Sequence, residues 1–192
     1  MYAFLDGQTR EVSQYPSPEE IASKVKTTLA RCLYSTIHIH DLMKKDTDGG
    51  LKQAILELAR KNGPNKTYTE YNWTLLHMTC KFGKPFDDVT AELLGMGADP
   101  NQEAFLDNYR KFNPMFLAMW NNNPDTLRML LNQGGDMFAT VIDNAGKEST
   151  LFEMYKLNAI PKASILKEEG EDKVIPVLDD WWRRKLYPNL YK

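Results

Sequence analysis

One pattern in this chain returns along its length. Thr74-Leu75-Leu76-His77, followed by Leu93-Leu94-Gly95-Met96-Gly97-Ala98-Asp99-Pro100-Asn101, is echoed by Asn113-Pro114-Met115-Phe116-Leu117-Ala118 and then by Leu127-Arg128-Met129-Leu130-Leu131-Asn132-Gln133-Gly134-Gly135-Asp136. A third start stands at Ser149-Thr150-Leu151-Phe152. The spacing is 39 residues from Thr74 to Asn113 and 36 from Asn113 to Ser149. Recurrence at such a period restricts a chain to stacked supersecondary units, each burying its apolar face against its neighbours.

The first copy, from Asn72 to Gly83 and on to Asn101, resembles one complete ankyrin repeat. That family's signature is a Thr-Pro-Leu-His turn, a short helix ending near Gly, a second helix ending Leu-Leu, then Gly-Ala-Asp-x-Asn. The likeness covers about residues 66 to 170. Pro is absent from the first motif (Leu75) and the third (Thr150), and Phe116 and Phe152 replace His in the second and third. The third unit reads Lys162-Ala163-Ser164-Ile165-Leu166 without a closing Gly-Ala-Asp. The periods exceed the roughly 33 residues of the family, so residues are inserted around Pro85-Phe86 and from Glu103 to Arg110. Loops absorb them at small entropic cost. The resemblance implies an all-α fold, a short ankyrin-like solenoid with helical caps at both ends.

The flanks are read on their own. Asp6-Gly7 lies between two short alternating runs, the chemistry of a tight hairpin turn. Ser17-Pro18-Glu19-Glu20 starts a helix whose apolar positions Ile21, Val25, Leu29, Cys32, Leu33 and Ile37 recur at helical spacing. After Asp48-Gly49-Gly50 a second helix carries Leu51, Ala54, Ile55, Leu58 and Ala59, and Asn62-Gly63-Pro64-Asn65 stops it. Residues 1–65 are therefore expected as an N-terminal hairpin and helical pair capping the repeats of residues 66–170. A final helix from about Val174 to Leu186, within residues 171–192, closes the other end, with Asp179 and Asp180 four residues ahead of Arg183 and Arg184.

Composition narrows the function. Of 192 residues, 24 are Lys or Arg and 26 Asp or Glu, a net charge of −2 that gives no global basic field for double-stranded DNA. Apolar runs stay far below the ~20 residues of a membrane-spanning helix. Met1-Tyr2-Ala3-Phe4-Leu5 meets Asp6-Gly7 too early for a secretory segment, so a cytoplasmic protein is expected. Cys32 and Cys80 sit among apolar neighbours as small hydrophobes. Phosphate loops, H-E-x-x-H, Cys-x-x-Cys pairs and nucleophile elbows do not occur.

The resemblance also implies where a partner docks: the residue before each Thr-Pro-Leu-His and the two before each mid-repeat Gly face the concave side. Those positions are Trp73, Lys81 and Phe82 in the first unit, Phe112, Trp120 and Asn121 in the second, and Glu148, Lys156 and Leu157 in the third. Met78 and Leu117 border them, and Tyr68, Tyr71 and Tyr109 lie in the approaching loops. Four of those nine are aromatic, the residue class of binding hot spots, so the rings either meet a partner protein or pack on the loops and the N-terminal helices. A non-enzymatic module that binds and masks another protein follows, of the kind small bacterial and viral ankyrin-like effectors, inhibitors or immunity proteins exemplify. It requires no cofactor and no metal.

Two other readings compete. His77 with Cys80, or His38 and His40 with Asp41, would be the chemistry of a small hydrolase or metal enzyme. His77 in the family instead bonds loop backbone, and two His separated by two residues on a helix point about 200° apart. Trp181-Trp182-Arg183-Arg184 would attach an adaptor to membrane or RNA, although Asp179 and Asp180 offset its charge.

Overall fold

The structure is a computed structural model that describes residues 50–106, 110–142, 146–157 and 172–188. The elements in chain order are α1 (Gly50–Asn62), α2 (Leu75–Phe82), a 3-10 turn (Lys84–Phe86), α3 (Asp87–Gly95), β1 (Ala104–Phe105), β2 (Lys111–Phe112), α4 (Pro114–Trp120), α5 (Pro124–Asn132), β3 (Thr140–Ile142), β4 (Glu148–Thr150), α6 (Leu151–Lys156) and α7 (Ile175–Leu186). The Asp6-Gly7 hairpin, the helix from Ser17, the cluster His38-His40-Asp41, Tyr109 and the helix expected at Lys162–Leu166 lie outside the described residues.

The all-α expectation is corrected. Two two-stranded antiparallel sheets accompany the helices, pairing Ala104 with Phe112 and Phe105 with Lys111 in the first, and Thr140 with Thr150 through Ile142 with Glu148 in the second. The class is mixed α and β. Backbone N–H and C=O groups in the connections need partners wherever side chains cover them, and pairing the two arms of each connection supplies these. Phe105 N–H also donates to Tyr71 O at 2.9 Å, which fastens the first sheet to the segment before α2.

Each unit opens with a side-chain cap. Thr74 accepts from His77 N–H while the His77 ring answers the Thr74 backbone, and Thr150 forms the same box with Glu153. Asn113 caps α4 ahead of Pro114, and Asn123 caps α5 ahead of Pro124. α2 packs on α3 and α4, α4 on α5, α3 on α5, and α1 on α3. Seven of the eight α2 residues are buried, Lys81 being the exception, so this helix is core on nearly every side.

The outer helices end alike. Gly63, Gly97 and Gly134 follow α1, α3 and α5 at φ of 89°, 88° and 88°, a left-handed conformation that a β-carbon disfavours. An asparagine then ties each such end to the next. Asn65 donates to Gly97 O at 3.0 Å and accepts from Asp99 N–H at 2.7 Å; Asn101 repeats this with Gly134 O at 3.0 Å and Asp136 N–H at 2.7 Å. α1 therefore joins the same outer row as α3 and α5. α7 packs on α5 at the other end of that row, placed through Val174, Val177 and Leu178.

Candidate recognition surface

Three consecutive asparagines at the turn between α4 and α5 organise the surrounding surface. Asn121 donates to Cys80 O at 2.8 Å and Lys81 O at 3.0 Å, satisfying the last carbonyls of α2. Asn122, at φ 50°, accepts from Lys173 N–H at 2.8 Å and so places the start of α7. Asn123 donates to Asp87 Oδ1 at 2.8 Å, and the hydroxyl of Thr126 reaches the same oxygen at 2.6 Å, which joins the starts of α3 and α5.

The rings expected to face a partner divide. Trp73 is 1% exposed: its indole N–H donates to Phe105 O at 2.8 Å, and its ring meets Phe112 edge-on at 5.2 Å. Phe112 is 4% and Phe82 8% exposed, the latter stacked on Phe86 at 4.7 Å. These three are packing residues, and the expectation that they present themselves outward is corrected. The first strand and the 3-10 turn provide much of their cover: the Phe105 carbonyl takes the Trp73 indole N–H, Ala104 pairs with Phe112, and Phe86 stacks on Phe82. Met78 and Leu117, expected to border the surface, are also buried.

What remains accessible is narrower. Trp120 is half-buried, the Lys81 ammonium lies 5.4 Å from its ring centre, and Asn121 holds the backbone beneath Lys81. Phe116, one turn before Trp120 on α4, is half-buried and meets it at 5.5 Å. Phe116 stands where the repeat motif has His. Its i, i+4 spacing to Trp120 was the signal that both rings share one face. Together they form an apolar platform with a cation at its edge, above a floor made by Phe112 at 6.3 Å from Phe116. Glu148 is exposed on β4, in the second sheet.

The C-terminal end carries a second group of rings. Phe152 touches Phe138 at 5.3 Å, Tyr155 at 5.9 Å and Trp182 at 4.6 Å, and the Lys156 ammonium stands 5.6 to 5.7 Å from Phe152, Tyr155 and Trp182. The Tyr155 hydroxyl donates to Asp179, and burial together with that carboxylate pushes its pKa up to about 12. Asp180 pairs with Arg184 at 2.9 Å as its spacing predicts, whereas Asp179 is engaged by Tyr155. Leu157 is 70% exposed at the end of α6.

His77 and Cys80 have little chemistry to offer solvent. Both are fully buried. The backbone N–H of Thr74 donates to His77 Nδ1 at 3.2 Å, so Nε2 carries the proton toward Gln102 O at 3.0 Å; burial lowers the ring pKa to about 3 against the opposing pull of that carbonyl. The ring bonds loop backbone, as the resemblance implies. Burial, with the charge of Asp87, pushes the Cys80 thiol well above its usual range, the opposite of what a nucleophile requires. Among the described residues no three His, Cys, Asp or Glu side chains converge to hold a metal, and no helix is long and apolar enough to cross a membrane. No known family model matches this chain, and no curated protein does either.

Proposed function

We propose that this chain is a non-catalytic recognition module of ankyrin-like character, which binds another protein through the face shared by α2 and α4 and thereby masks it. The carrying observation is the Phe116–Trp120 platform with Lys81 at its rim. Phe116 and Trp120, half-buried on the short, capped helix α4, are pre-organised, so little ordering entropy is lost on contact. An apolar side chain on the partner, with an acidic neighbour to meet Lys81, is the complement.

The test uses the full chain as bait, identifies the bound protein by mass spectrometry, and titrates that purified protein against wild type, Trp120→Ala and Phe116→Ala. A hot-spot role corresponds to a loss of about 30-fold or more in affinity with circular dichroism unchanged. Full affinity in both folded variants rejects the platform. If turnover of a substrate is found and disappears on replacing His40 or Cys80, the enzyme reading stands in its place.

A further inference from the structure

The outer face of α7 carries an order of charges that complements itself when reversed. Val177 and Leu178 are buried and Trp181 and Trp182 half-buried, which fixes the inward side toward α5 and α6. The opposite side shows Pro176, Asp180, Arg183 and Arg184, all exposed, at offsets of 4, 7 and 8 residues that place them along one stripe. Read along the helix the stripe runs Pro, acid, two bases.

From this order we propose that α7 is a self-association surface, pairing antiparallel with α7 of a second copy about a two-fold axis between Asp180 and Arg183. Reversal sets Asp180 of each copy against Arg183 and Arg184 of the other. Parallel alignment would instead oppose Asp180 to Asp180 and Arg to Arg. Charge therefore selects the antiparallel arrangement, whose contacts are reciprocal by symmetry. Asp180 already meets Arg184 within its own helix at 2.9 Å, so the second copy joins an existing pair with Arg183. A twelve-residue helix is about 18 Å long. One such contact lies below the standard interface size, so the dimer is weak and weakens further with salt.

The full chain is followed by sedimentation velocity from about 5 to about 500 µM in low and high salt, as wild type, as Asp180→Arg, as the pair Arg183→Asp and Arg184→Asp, and as an equimolar mixture of the two variants. Wild type is expected to pass from monomer to dimer with concentration. Each variant alone opposes like charges and stays monomeric. The mixture restores both opposed pairs and dimerises, which no folding defect mimics. Wild type monomeric throughout, variants that dimerise as wild type does, or a mixture no more associated than its components would each overturn the proposal.

Discussion

The region from α2 to α5 and the end made by α6 and α7 use aromatic residues in opposite ways. In the first, Trp73, Phe82, Phe86 and Phe112 are sealed under short strands and a 3-10 turn, and Phe116 and Trp120 remain half open. At the second, Phe152, Tyr155, Trp181 and Trp182 are all half-buried, Phe138 is 55% exposed, and Lys156 and Lys185 stand over the rings. The difference teaches that a ring's repeat position does not decide its exposure. What the neighbouring connection contributes decides it.

The contrast breaks most sharply at Trp73. Trp73→Ala removes a buried ring and leaves the Phe105 carbonyl without its indole donor, an expected loss of about 3–5 kcal/mol in urea unfolding. A loss under about 1 kcal/mol would show that the first sheet does not close over it.

His77 gives the next largest effect. Its pKa is about 3 in the fold and ordinary, near 6.5, in the unfolded chain. The unfolded state therefore takes up the proton first as pH falls. Stability from the neutral ring is complete above about pH 6.5 and is lost progressively toward pH 3, at up to ~1.4 kcal/mol per pH unit. Denaturant midpoints at pH 7, 5.5 and 4.5 check this, and His77→Gln is expected to flatten the change between pH 7 and 5.5. A flat wild-type profile there would place the ring in water.

Asn123→Ala deletes the α5 cap and one hydrogen bond to Asp87, an expected cost of about 1–2 kcal/mol. Thr126 still reaches Asp87, so Asn123→Ser, which caps but cannot span to α3, is expected to recover roughly half. Equal losses for Ala and Ser would assign the whole effect to the link between α3 and α5.

Much of the helical framework was legible. The Asn62-Gly63-Pro64 stop and the helix ending at Leu186 appear where their residues predict, because caps, Pro and left-handed Gly act locally. The strands were not legible. They are two or three residues long, too short for alternation, and include polar Lys111 and Glu148. Of the expected surface, Lys81, Trp120 and Asn121 do come together, since α2 packs on α4. The burial of Trp73, Phe82 and Phe112 is not legible in the sequence, because it depends on partners more than 20 residues away or on the 3-10 turn, as the Trp73–Phe105 bond and the Phe82–Phe86 stack show.

The difference between sealed and open rings is tested most directly at Trp120. The captured partner is titrated against Trp120→Ala while the variant's unfolding is followed in parallel. The expected result is a stability within about 1 kcal/mol of wild type together with at least about 30-fold weaker binding. Unchanged affinity in the folded variant would contradict recognition through the α2–α4 face.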